Sequence, residues 1–177
     1  PISFKLSEST VINKYNNDLE IAEFTDKYVV RKKIAELGLE NMLPQLYGVW
    51  DRPEEIEWDK LPEKFVLKCN HGCAYNIICD NKSSFDIDLA KKKLNKWIKE
   101  DFGLFNIEPH YSNIKRKIIC EEHLGNKLID YKFFCFNGEP KFLYVSEDLI
   151  HDSTAKMAFY DLEWNKIPLV RDDYDDI

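Results

Sequence analysis

The 177-residue chain is long enough for one domain, or one domain built from two lobes, and its 44% hydrophobic and 14% aromatic content is enough for a real core. A formal net charge of −7 argues against a general nucleic-acid binder, which needs a basic surface. An anionic ligand would have to be met by a few lysines or arginines placed locally.

The first residues contain no apolar run of signal-peptide length, and no stretch is apolar enough to span a bilayer. The expectation is a cytoplasmic protein without a membrane span. Of the five cysteines, Cys69, Cys120 and Cys135 sit inside apolar runs, which fits reduced core thiols better than a disulfide framework.

Residues 1–24 are mixed. From Asp26 a helical pattern begins, with Val30, Ile34 and Leu37 in phase, Thr25 or Asp26 as cap and Gly38 as stop. Residues 46–50 read as a short strand. Residues 64–69, Lys-Phe-Val-Leu-Lys-Cys, read as a strand buried on both faces. A polar stretch, Asn70 to Asn76, leads to a second short strand at Ile77–Cys79. A helix is predicted from Asp86 to Lys99, with Ala90, Leu94, Trp97 and Ile98 as its apolar stripe. Residues 117–121 form another strand. Asn137-Gly138 between two apolar runs predicts a hairpin over Asp130–Ser146, since a type I′ turn needs positive φ at both positions. The register then pairs Phe133 with Phe142 and Tyr131 with Tyr144. Another strand pair is expected around Asp161–Asn165, and the end, with Asp172, Asp173, Asp175 and Asp176, reads as a solvated acidic tail. The element order predicts an α+β fold with mostly antiparallel sheets.

Several residues have the chemistry for a site. Lys68 lies in a strand that should be buried, so it needs a carboxylate, a path to water, or a ligand anion beside it. The loop after it, through Asn70, His71 and Gly72, can turn backbone amides toward a phosphate. The same stretch offers Cys69, His71, Cys73 and Cys79 as zinc ligand types, though not at a common structural spacing. Glu121, Glu122 and His123 end a strand, where a carboxylate and free backbone groups can meet a planar heterocycle. Asp130 and Lys132, two apart on a strand, share a face. They either pair with each other or face a sugar hydroxyl and a phosphate.

Longer phrases carry more. Asp26-Lys27-Tyr28 with Arg31, Leu61 to Gly72, Asn76-Ile77-Ile78, Lys92 to Trp97, Ile118 to Leu124, Asp130 to Gly138 and Phe159 to Trp164 together resemble the TupA-like (teichuronopeptide-biosynthesis) branch of the ATP-grasp family over about residues 25–170. The resemblance implies an ATP-grasp-like fold: two α+β lobes with mostly antiparallel sheets holding nucleotide between them, incomplete at the C-terminus. It implies an N-terminal segment and helix over 1–60, a nucleotide-binding domain over 61–171 and a tail over 172–177. It places Lys27 and Lys68 on the phosphates, Asn70, His71 and Gly72 in the loop over them, Glu121, Glu122 and Leu124 at the adenine, and Asp130 with Lys132 at ribose and phosphate. ATP and Mg²⁺ are the implied cofactors, with the family's magnesium ligands falling beyond this chain. The implied function is that of a carboxylate–amine ligase-like protein of cell-surface polysaccharide biosynthesis, acting on a small-molecule or polysaccharide-precursor substrate. The alternatives are a glycosyltransferase-like protein, which would need a sugar-nucleotide donor site, and a non-catalytic nucleotide- or partner-binding module.

Overall fold

The computed structural model describes residues 19–105, 108–147, 155–171 and 174–177. Asp172 and Asp173 of the expected tail, and residues 1–18, lie outside the described residues. The chain divides into two compact units between His123 and Leu124. Each carries one four-stranded antiparallel sheet, and all the described helices lie in the first unit.

In the first unit, strands β1 (Leu46–Trp50), β2 (Phe65–Cys69), β3 (Asn76–Cys79) and β4 (Ile118–Glu122) form a sheet in the order β1-β4-β2-β3. Period-two alternation decides how β2 sits. Phe65, Leu67 and Cys69 are buried, whereas Val66 and Lys68 are only half-buried. The strand is therefore not buried on both faces as its apolar run suggested. In an antiparallel sheet one face can pack on the core while the other carries polar groups. The packed face meets helix α3 (Ile87–Trp97) through Leu94, with Ile56, Leu61, Ile118 and Cys120 completing the core. Burying each large apolar side chain here contributes about 1.5–3 kcal/mol. Asp86 caps α3 by accepting a hydrogen bond from Leu89 N at 2.8 Å.

Helix α1 (Leu19–Thr25), which the mixed N-terminal sequence did not announce, runs into helix α2 (Val29–Glu36). Asp26 sets the start of α2: its Oδ1 accepts from Tyr28 N at 2.8 Å and Val29 N at 3.2 Å. Gly38, with φ +72°, follows its end in the left-handed region, as a helix stop requires. A single-turn helix α4 (Phe102–Phe105) packs near Tyr111 through Phe102.

In the second unit, β5 (Ile129–Phe136), β6 (Glu139–Glu147), β7 (Lys156–Tyr160) and β8 (Lys166–Ile167) follow one another in sheet order. The β5–β6 hairpin turns at Asn137 and Gly138, both at positive φ. Its register needs correcting by one residue. Cys135 faces Pro140, but beyond a bulge Phe134 faces Phe142 and Lys132 faces Tyr144. The extra residue falls next to Pro140, which has no N–H to give to a ladder. Phe134 therefore stacks on Phe142 at 4.4 Å, and Tyr131 and Phe133 lie on the other face, more than half exposed. Cys135, expected in the core, is exposed because β5 is an edge strand. Asp175 and Asp176 do not hang free: Asp175 bridges to Lys156, and Asp176 takes Lys166 at 2.7 Å.

A candidate anion site around Lys27, Lys68 and Glu121

The half-buried face of the first sheet brings several expected residues together. Lys68 on β2 and Glu121 on β4 lie on the same face, since Val66 faces Glu121 and Lys68 faces Ile119 across the two strands. Lys68 Nζ donates to Glu121 Oε2 at 2.7 Å. The other carboxylate oxygen accepts from Arg31 Nη1, also at 2.7 Å. Arg31 is held in turn by a hydrogen bond from Nη2 to Pro44 O. Glu121 is buried, so its charge rests on these two cations.

Lys27 precedes α2 and reaches the loop after β2, donating from Nζ to Gly72 O. Its pKa is lowered, chiefly by burial, with the charge of Lys68 adding to the shift and those of Cys73 and Asp26 opposing it. Lys27, Arg31 and Lys68 thus outnumber the two carboxylates beside them, Asp26 and Glu121, by one positive charge. In a chain of net charge −7, that is a local surplus suited to an anion.

The loop itself is mostly scaffold. Asn70 is wholly buried. Its Nδ2 donates to Asp26 Oδ1 at 2.9 Å and Lys115 O at 3.0 Å, and its Oδ1 accepts from Lys117 N at 2.7 Å. His71 is also fully buried; its Nε2 lies 3.0 Å from Trp97 O, and burial holds its pKa below 6.5. The carbonyl needs a donor, so Nε2 carries a proton. A Cβ on Gly72 would meet Tyr75 and Phe102 ring carbons at 2.8 and 2.9 Å. The loop is wedged under aromatic rings, with Tyr75 stacked on Trp97 at 5.2 Å. Cys73 is exposed at its tip, its Sγ 3.4 Å from Tyr111 Oη.

The remaining expected residues make other contacts. Glu122 is exposed and accepts from Gln45 N at 3.2 Å. Leu124, Asp130 and Lys132 belong to the second unit. Asp130 faces Ser146 across β5–β6, and Lys132 faces Tyr144. The pKa of Lys132 is raised, chiefly by its hydrogen bond to Tyr144. The pair does not close on itself in a salt bridge.

Among the described residues, no three His, Cys, Asp or Glu side chains come together as metal ligands. Cys69 and Cys79 are buried in the core, and burial raises the Cys69 thiol to about 12. For Mg²⁺ the fit is equally poor. Glu121 is committed to two cations, and Asp26 to Asn70 and two backbone amides. Asp86-Ile87-Asp88 has the Asp-x-Asp form of a sugar-nucleotide site, but Asp86 is spent on the cap of α3.

Sequence reasoning left Arg31 without a role. The signal was its spacing: Lys27 and Arg31 are four apart, the interval that puts two side chains on one side of a helical turn. Among known proteins, the family model described as TupA-like ATPgrasp matches residues 7–176. No curated protein and no solved structure matches the chain.

Proposed function

The chain belongs to the TupA-like ATP-grasp family, and on that premise we propose that it binds ATP with the phosphates on Lys27 and Lys68. The observation that carries this reading is the surplus of positive charge on the half-buried face of the first sheet. Burial lowers the pKa of Lys27, the nearby charge of Lys68 adds to that, and a bound anion would favour the ammonium. The loop from Asn70 to Asn76 frames the phosphates, with Gly72 O and the aromatic wedge fixing where Lys27 points.

Under the same proposal Glu121 acts on the phosphate lysine rather than on adenine, because both of its oxygens are occupied. The adenine contact then falls to the end of β4, at Glu122. The activity we propose is that of a carboxylate–amine ligase of cell-surface polysaccharide biosynthesis. ATP-grasp chemistry activates a carboxylate as an acyl phosphate, which an amine then attacks.

Calorimetric titration with ATP tests the proposal. Lys68→Ala removes one charge-assisted phosphate contact, worth roughly 1.5–3 kcal/mol, or about a 10- to 150-fold weaker Kd. Equal affinities for wild type and variant, or no binding by wild type, would remove the claim.

A further inference from the structure

We propose that Arg31 is a positioning residue that holds Glu121 so that Lys68 can leave it for a ligand anion; this rests on the anion reading above. The two oxygens of Glu121 are claimed separately, Oε1 by Arg31 and Oε2 by Lys68, each at 2.7 Å. The two cations are not equivalent. Arg31 is 14% exposed and pinned at both ends of its fork, by Glu121 and by Pro44 O. Lys68 is 32% exposed and has one anchor, Glu121. An incoming anion therefore meets Lys68, the more accessible and less tied of the two.

If Lys68 swung to that anion with no other cation present, it would strand a carboxylate that is only 7% exposed. An unpaired buried charge is strongly unfavourable. Arg31 removes that obstacle. Its planar fork stays on Oε1 and the carbonyl together, so Glu121 keeps a charge-assisted partner while Lys68 moves. Lysine at position 31 has no such fork and cannot hold both acceptors in the same geometry.

The test is a double-mutant cycle on ATP affinity, with a ligand-free readout beside it. Arg31→Gln is expected to weaken ATP binding by about tenfold, because Lys68 becomes the sole cation on Glu121. In the Glu121→Gln background the same change is expected to cost nothing measurable, since no carboxylate holds Lys68. Simple loss of charge predicts an equal cost in both backgrounds. A purely structural role predicts that the double variant is as weak as Arg31→Gln or weaker. Either result overturns the proposal.

Without ligand, acetylation of Lys68 by acetic anhydride, read by peptide mass spectrometry against exposed Lys92 and Lys93, follows how firmly Glu121 holds it. Arg31→Gln should slow labelling of Lys68 several-fold, and Glu121→Gln should speed it in either background. If Arg31→Gln leaves that rate unchanged or raises it, Arg31 does not position Glu121. If the labelling pattern holds but wild type binds no ATP, the nucleotide reading falls and the Arg31–Glu121–Lys68 coupling stands.

Discussion

Lys68 Nζ lies 2.7 Å from Glu121 Oε2 on the neighbouring strand, two residues along β2 from the Val66–Glu121 pair and on the same face. This contact explains how a lysine survives in a strand whose alternate side chains make the core: a carboxylate from neighbouring β4 supplies its counter-charge. It also sets a condition on any ligand. A phosphate at Lys68 competes with Glu121, so the gain on binding is the difference between the two partners. The loss on changing Lys68 to Ala then falls toward the lower end of the range for a charge-assisted contact.

Lys27 gives the candidate site a pH dependence. Its pKa in the free protein lies below 10.5, first because of burial. A bound phosphate favours the ammonium, so binding raises that pKa. ATP affinity is therefore fullest below the lowered value and is lost as pH rises through it. Calorimetry from pH 7 upward should show affinity falling before pH 10.5, with proton uptake revealed by buffers of different ionisation enthalpy. Lys27→Arg, which stays charged, should move the fall to higher pH. An unmoved fall would mean that Lys27 does not touch the anion.

Asn70 is expected to matter for stability. Its side chain makes three hydrogen bonds at a fully buried position, to Asp26, Lys115 O and Lys117 N. Asn70→Ala leaves the Lys117 amide and the Asp26 carboxylate each short of a partner, at a cost of about 2–4 kcal/mol. Urea unfolding should show a lower midpoint with an unchanged slope. Lys68→Ala, at a more exposed site, should move the midpoint far less. Equal midpoints for Asn70→Ala and wild type would contradict this role.

The fold was largely legible because it follows local rules. The alternation in Phe65–Cys69, the cap at Asp86 and the Asn137-Gly138 turn each act over a few residues. The hairpin register was not, because the bulge beside Pro140 moves every pair beyond it by one. Of the candidate site, Lys68 was legible as a cation needing a partner. Which partner it takes depends on β4, over fifty residues away, arriving beside β2 with Glu121 on the same face. Asn70 and His71 looked like loop residues free to meet a ligand. Their burial comes from Lys117 and Trp97, contacts that no local pattern announces.

Gly72 is required for space. Its φ is not in the left-handed region, but an added Cβ would come within 3.0 Å of both Tyr75 and Phe102. Gly72→Ala must push the Tyr75 ring off Trp97, against which it is stacked at 5.2 Å. Overpacking of this kind costs about 1–3 kcal/mol. Because Gly72 O anchors Lys27, the same variant should also weaken ATP binding. Wild-type stability and affinity in Gly72→Ala would show that the loop yields easily.

His71 should leave a signature in the acid limb of the stability curve. It is fully buried with Nε2 against Trp97 O, and burial lowers its pKa from 6.5. The folded chain therefore resists protonation that the unfolded chain accepts. Above the unfolded value, near 6.5, both states hold a neutral ring and its contribution is whole. As pH falls below that, the unfolded state binds a proton that the native state lacks, and stability declines until the lowered folded value is reached. Asp51, Glu54, Glu55 and Asp161 also have lowered values, but from ordinary ones of 3.8 or 4.5, so their losses come at more acid pH. The interval from pH 6.5 down to about 5 thus lies above those carboxylate losses, and comparison with a variant that changes only His71 separates it from the other histidines. His71→Gln can still donate to Trp97 O but does not titrate. Urea unfolding of both proteins at several pH values should give a constant difference above 6.5, narrowing below it as wild type alone loses the His71 contribution. Parallel curves through that interval would mean that His71 is protonated as readily in the folded protein as in the unfolded chain.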